Sequence, residues 1–185
     1  VVLGILGIEF LVKYGLALDF ENRSLHSSSI IEEKMELSEY SFVFPQEYGF
    51  SKYGLPVVGM VKNGKEYVCL VDSGSNLNTT TKYVLGNGDI TNKHTGLKSS
   101  LTSVAGTKMT DLMNVDFDLL SIGNKTGEIK VKKYSAEFHV MDNSKYILEG
   151  SSNIPPVSAI IGAGFLLEHK WVVDFAYGVV CSAKN

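Results

Sequence analysis

The stretch Val57-Val58-Gly59-Met60-Val61-Lys62-Asn63-Gly64-Lys65-Glu66-Tyr67-Val68-Cys69-Leu70-Val71-Asp72-Ser73-Gly74-Ser75 decides the fold of this chain. Apolar residues dominate Val57 to Val61 and Glu66 to Val71, and the Asn63-Gly64 pair between them tolerates the positive φ that a tight reversal demands. The reading is a β-hairpin. Its second strand runs into Asp72-Ser73-Gly74-Ser75, a carboxylate delivered by a strand into a Gly turn, and the polar stretch Asn76 to Thr81 follows. Taken alone, the tetrapeptide reads as an Asx or Ser-rich turn that ends a strand.

Downstream, Asn76 to Ser100 is rich in Thr, Asn, Gly and Lys, which predicts a loop with a brief helix around Thr80 to Val84. Leu101 to Met109 is broken at Ala105-Gly106-Thr107 and predicts a second hairpin. Val115, Phe117 and Leu119 then alternate with Asp116 and Asp118, and past the Gly123-Asn124 turn Ile129 to Met141 predicts a long strand system. Short strands with frequent turns point to a closed or sandwich-like all-β core.

The two ends of the chain share a pattern. Ile5-Leu6-Gly7-Ile8-Glu9-Phe10-Leu11 and then Leu16-Ala17-Leu18-Asp19-Phe20 align without a gap onto Ile160-Ile161-Gly162-Ala163-Gly164-Phe165-Leu166 and then Trp171-Val172-Val173-Asp174-Phe175. One supersecondary unit is present twice. Each copy reads as strand, Gly, one or two helical turns, then strand; Phe10, Leu11 and Tyr14 share a helix face, and Gly15 suits a C-cap. Glu21-Asn22-Arg23 suits a turn, and Ser27 to Glu39, polar around Ile30-Ile31, reads as a connector or surface helix that ends near Pro45. The expected organisation is a repeat of the closing unit over 1–26, a connector over 27–53 and the main domain over 54–185.

At 185 residues the chain is long enough for one core with an appendage, and short for two full-sized domains. A net charge of −3 leaves no basic field of the kind that nucleic acid or anionic lipid requires, so neither is expected as a partner. Lys125, Lys130, Lys132 and Lys133 sit beside Glu128 and read as a solvated strand face. Cys69 and Cys181 are flanked by apolar residues, as buried free thiols are, although strands placed side by side would also allow a bridge. No apolar run reaches the roughly 18 residues of a membrane span, and Glu9 and Lys13 interrupt the N-terminal one. A soluble protein is expected, with the cytoplasm slightly favoured; because the chain starts at Val1 rather than Met, removal of a leader or upstream region stays open.

Other chemistries find little footing. His26, His94, His139 and His169 are scattered, with no His-Glu-x-x-His and no Cys-x-x-Cys, so no metal is expected. No Gly-x-Ser-x-Gly elbow occurs, and Gly162-Ala163-Gly164 lacks the rest of a phosphate loop. Asn22-Arg23-Ser24, Asn78-Thr79-Thr80 and Asn124-Lys125-Thr126 fit the glycosylation triplet, which is common by chance.

Three features together carry a resemblance: the hairpin into Asp72-Ser73-Gly74-Ser75, the Gly-bearing hairpin Ser103-Val104-Ala105-Gly106-Thr107, and Ile160-Ile161-Gly162 followed by Phe165-Leu166. Over roughly Gly54 to Cys181 the chain resembles the retropepsin-like aspartic protease family of the retroviral type, with a single Asp-Ser-Gly motif per chain. The resemblance implies a closed β-barrel with one short C-terminal helix, here with an N-terminal helix-strand appendage. It implies an aspartic endopeptidase that needs no cofactor, acts on polypeptide, and forms its dyad from one aspartate of each subunit of a homodimer. Asp72 is then the catalytic carboxylate. Ser73 braces the two active-site loops, Gly74 permits their close approach, and Ser75 donates to the outer oxygen of Asp72. Val104, Ala105 and Gly106 form the flap over the substrate, and Ile161 and Gly162 form the core of the closing unit. In such a dyad two carboxyl groups share one proton around a water, one as general base and the other as proton donor, and the pair titrates as a unit. The alternative is a catalytically silent module of the same fold that serves binding or dimerisation. The N-terminal copy, without its own Asp-Gly turn, reads either as the tail of a preceding module or as a graft in the place of a partner's terminal strands.

Overall fold

The computed structural model describes residues 6–27, 41–42, 55–86, 94–103, 106–122, 127–151 and 155–182. Along them run α1 (Ile8–Lys13), β1 (Leu16–Asp19), β2 (Ser24–Ser27), β3 (Ser41–Phe42), β4 (Val57–Lys62), β5 (Lys65–Asp72), β6 (Thr79–Thr81), α2 (82–86), β7 (His94–Ser103), β8 (Gly106–Ile122), β9 (Ile129–Met141), β10 (Ala159–Gly162), α3 (Ala163–Glu168), β11 (Trp171–Asp174) and β12 (Val179–Ser182). The chain is all-β in class, as its alternation predicts. Strands β4 and β5 form the expected hairpin, from Val57 opposite Leu70 to Lys62 opposite Lys65. Asn63 and Gly64 both take positive φ, 52° and 72°, which matches the turn to the twist of the strands.

Hydrogen-bonded neighbours then run from β5 to β10, β6, β9 and β8, and β8 pairs again with β4. Met60, Cys69, Val71, Val115, Phe117, Leu119, Phe138 and Ile161 from these strands share one buried cluster. Burial of each large side chain contributes roughly 1.5–3 kcal/mol. Along β8 the predicted alternation holds: Val115, Phe117 and Leu119 are buried while Asp116 is exposed.

Two expectations are corrected. The stretch 94–100, expected as loop, is part of β7, paired with β8 from Lys98 opposite Asp111 to Ser103 opposite Gly106. Of its partner residues Thr107, Lys108 and Met109 are exposed and Thr110 is buried, so toward its tip backbone pairing rather than burial orders this hairpin. The helical turn expected around Thr80 to Val84 begins later, at 82–86, because Thr79 to Thr81 pair with β9 and β10 as β6. Of the expected connector, Ser27 ends β2 and Ser41–Phe42 form β3 between β12 and β8; the rest lies outside the described residues.

The N-terminal segment is no appendage. Strand β1 pairs antiparallel with β11, and Leu11 of α1 is buried in the same cluster as Leu166 and Trp171. The sequence repeat is also a repeat of conformation. Gly7 and Gly162 are the N-caps of α1 and α3, with φ/ψ of −78°/167° and −94°/175°, and Tyr14 and His169 are the C-caps, at −98°/7° and −97°/7°. Gly15 and Lys170 follow with φ of 56° and 54°, and Arg23 and Gly178 with 52° and 62°. The equivalence runs past the predicted boundary at residue 26: Leu16 opposes Ser27 as Trp171 opposes Ser182.

Between the copies, Leu18 faces its own equivalent Val173, while Ala17 faces Asp174 and Asp19 faces Val172. The amide of Phe20 donates to the Trp171 carbonyl at 2.9 Å, and that of its equivalent Phe175 donates to the Leu16 carbonyl at 3.1 Å. Equivalent residues exchange partners, which is the pattern of a twofold axis between Leu18 and Val173. Residues 6–27 and 161–182 thus meet as the same surface of two copies would.

Candidate active site

Strands β5 and β6 are consecutive in the chain but not adjacent in the sheet. β10 lies between them, parallel to β5 and antiparallel to β6, so the connection over 73–78 has to cross the end of β10. Asp72, the last residue of β5, stands in register with Gly162, the last residue of β10. The Gly74 amide donates to Asp72 Oδ1 at 2.9 Å, and the Ser75 amide donates to the Asp72 carbonyl at 3.2 Å. These two bonds hold the carboxylate plane against its own turn. Asp72 is half-buried, whereas Ser73 and Gly74 are exposed.

Gly162 locks that turn to the sheet. Its amide donates to Asn78 Oδ1 at 3.0 Å, and the Ala163 amide donates to the Ser75 carbonyl at 2.6 Å. A Cβ on Gly162 would stand 2.6 Å from the carbonyl oxygens of both Ser75 and Leu77. The extended backbone of Gly162 suits any residue, so contact, not conformation, demands glycine there. Ile161, in register with Val71, is fully buried. Asp72 to Ser75, Ile161 and Gly162, all singled out in the sequence, are therefore brought together.

A cleft of about 290 Å³ opens beside the turn. Asp72, Ser73 and Gly74 line it with Leu55, Pro56, Leu70 and Val71 from their own side of the chain, and with Leu6, Ile8, Leu11 and Phe175 from the paired repeat units. Asp72 is the one ionisable side chain among these lining residues. A single carboxylate in a mostly apolar cleft can bind or polarise a water, but the shared-proton chemistry needs a second one. No protein-family model and no curated protein sequence matches the chain.

The other residues singled out in the sequence divide as follows. Ser75 does not turn to Asp72: its hydroxyl donates to the Leu77 carbonyl at 2.9 Å and accepts from the Leu77 amide at 3.3 Å, which braces the loop that presses on Gly162. Gly106 starts β8 opposite Ser103, at a φ of 117° that favours glycine, and does not line the Asp72 cleft; Val104 and Ala105 lie outside the described residues. Cys69 and Cys181 are free and buried on strands that do not pair, β5 and β12. Burial, with Asp174 and Asp19 nearby, pushes the Cys181 thiol up to about 12, and burial pushes Cys69 up as well. Lys130 meets Glu128 at 3.9 Å, as a solvated strand face would. Among the described residues no cluster of His, Cys, Asp and Glu is placed to hold a metal ion, and no helix is long and apolar enough to cross a membrane.

Asn78 is the site residue that the sequence reading missed. Besides accepting from Gly162, its Nδ2 donates to the Glu137 carbonyl at 3.0 Å, so one side chain ties the Asp72 loop to both β10 and β9. Its place in an Asn-Thr-Thr triplet hid that role. The wall formed by Leu6, Ile8 and Leu11 was missed too; the repeat was the available signal, since it placed these residues in a unit matching the one that packs on Asp72.

Proposed function

We propose that the chain is a retropepsin-like aspartic endopeptidase unit, in which Asp72 supplies one carboxylate of a dyad and another barrel supplies the second. The observation that carries this reading is the placement of Asp72: half-buried at the end of a core strand, in a Gly turn pinned by Gly162, lining a cleft. The returning strand pairing of β4, β5, β10, β6, β9 and β8 supports a closed barrel around the core.

The Gly74 amide donates to Oδ1 of Asp72 and so fixes the plane in which the carboxylate would meet the water. The ionised carboxylate takes a proton from water as the water oxygen bonds to the scissile carbonyl carbon. The protonated partner gives its proton to the carbonyl oxygen. A tetrahedral diol results, and it collapses when the C–N bond breaks, the protonated carboxyl giving its proton to the leaving nitrogen while the ionised one takes a proton from a diol hydroxyl. The first step needs one carboxylate ionised and the other protonated.

The test compares the wild type with Asp72→Asn on an unfolded protein substrate at mildly acidic pH. Each is assayed first as the chain stands, at a concentration that lets a second copy supply the other aspartate as the homodimer expectation requires. Each is then assayed with a second barrel joined in cis, as described below. Cleavage in either format that Asp72→Asn abolishes, with folding retained, supports an enzyme. Silence in both formats would instead favour a binding or dimerisation module of the same fold.

A further inference from the structure

The unit over residues 6–27 has the conformation of a barrel-closing unit and, among the described residues, none of the cover that its counterpart has. In the C-terminal copy, the turn and loop after Asp72 bring Ser75 and Leu77 against Gly162, within 2.6 Å of where a Cβ would be. In the N-terminal copy, a Cβ on Gly7 would meet no atom of the described residues within 4 Å. Ile161 and Phe165 are 0% and 2% exposed, whereas their equivalents Leu6 and Phe10 are 58% and 40% exposed. The N-terminal unit keeps the glycine and the apolar residues that such a cover requires, and presents them to solvent.

What covers the counterpart identifies the missing cover. On the C-terminal unit it is a strand, an Asp-Ser-Gly turn and a loop, with the aspartate in register with Gly162. A second intact copy cannot supply this, because its own Asp72 turn already holds its own Gly162. In this chain the closing unit follows the barrel that it completes: β4 to β9 come first, then 161–182.

We propose that residues 6–27 close a second β-barrel, which precedes them in the same polypeptide and sets its own aspartate turn in register with Gly7. This rests on reading Asp72 as half of a dyad. The twofold between Leu18 and Val173 that carries Gly162 onto Gly7 carries Asp72 onto the second aspartate. The active unit is then a two-barrel single chain, and β1 on β11 takes the place that a homodimer partner's strand would fill.

The test builds the missing barrel from the chain's own sequence. Residues 55–155 are repeated ahead of Val1, so that the full chain follows in the register of the repeat, with Val1 where Pro156 would come. By analogy with the Gly162 and Ala163 amides, the Gly7 and Ile8 amides gain partners. Their hydrogen exchange should slow by about a hundredfold against the 185-residue chain alone. Gly7→Val should remove that protection in the two-barrel protein while leaving the 185-residue chain folded, since open space surrounds Gly7 there. Should the two-barrel protein not fold, a synthetic peptide of residues 66–80 added in excess to the 185-residue chain is the second probe of the same amides. Unchanged exchange at Gly7 and Ile8 in both formats, or protection that Gly7→Val does not affect, overturns the proposal. Protection without peptide cleavage would uphold the docking and overturn the protease reading alone.

Discussion

Gly7 and Gly162 make a controlled pair, because the same residue stands in the same extended N-cap conformation with opposite surroundings. Gly162→Ala places a methyl group 2.6 Å from the Ser75 and Leu77 carbonyl oxygens and 2.9 Å from the Leu77 nitrogen, all of them backbone atoms. Relief requires the loop to retreat by several tenths of an ångström. The Ala163 to Ser75 bond at 2.6 Å and the Gly162 to Asn78 bond at 3.0 Å oppose that retreat. Loss of those two bonds at about 1 kcal/mol each, with an overpacking cost of about 1–3 kcal/mol, is offset by about 0.5–1 kcal/mol from the less flexible unfolded chain. The expected net destabilisation is about 3 kcal/mol. Gly7→Ala meets no atom, and its weaker capping and lower unfolded entropy should nearly cancel, leaving a change within about 0.5 kcal/mol. Urea unfolding followed by the fluorescence of Trp171, the chain's one tryptophan and fully buried, reads both variants. A Gly162→Ala cost below about 1 kcal/mol, or one equal to that of Gly7→Ala, would refute the steric lock on the Asp72 turn.

Asn78→Ala removes both bonds of one side chain and should cost about 2 kcal/mol, while Asn78→Asp, which still accepts from the Gly162 amide, should cost less; urea midpoints of the two variants check the order. Stability should also fall as the solution is acidified through the ordinary histidine range. Burial lowers the pKa of His139 against the opposing pull of Glu137, and burial lowers that of His169 too, so the folded state binds fewer protons there than the unfolded state. This stabilisation is complete above the unfolded histidine pKa and is lost as pH falls toward the depressed folded values. His139→Gln should flatten the slope of stability against pH by up to about one proton, and an unchanged slope would count against a buried neutral His139 bonded to Thr110.

Legibility followed the physics of each element. The β4–β5 hairpin was readable because apolar residues flank Asn63-Gly64 and core burial then enforces the register. β7 was unreadable for the converse reason: Lys98, Ser100 and Thr102 are themselves exposed polar residues, and of the residues opposite Lys98 to Thr102, Met109 and Thr107 are exposed while only Thr110 is buried, so the strand shows no apolar alternation. The Asp72 turn was visible as a motif, but what makes Gly162 a glycine is a contact with carbonyl oxygens from a distant loop, which no local pattern encodes. Ser75, expected beside the Asp72 carboxylate, has its hydroxyl bonded to the Leu77 backbone, while the Gly74 amide engages the carboxylate. The repeat was legible over residues 5–20, yet its consequence was not, because a sequence repeat does not say whether its copies meet.

They do meet, and the manner of meeting bears on how activity should scale. A homodimeric dyad assembles by association, so at low concentration its rate falls with the square of the protein concentration. A second barrel continuous with residues 6–27 is held at an effective concentration set by the chain itself, and its rate should fall only linearly on dilution. The β1–β11 pairing, with its exchanged bonds from Phe20 to Trp171 and from Phe175 to Leu16, already brings both closing units onto one twofold inside a single chain. Specific activity of the two-barrel protein on an unfolded substrate should therefore stay constant across serial dilution. A specific activity that drops in proportion to concentration would place the second aspartate in another molecule, and with it the homodimer that β1 was argued to displace.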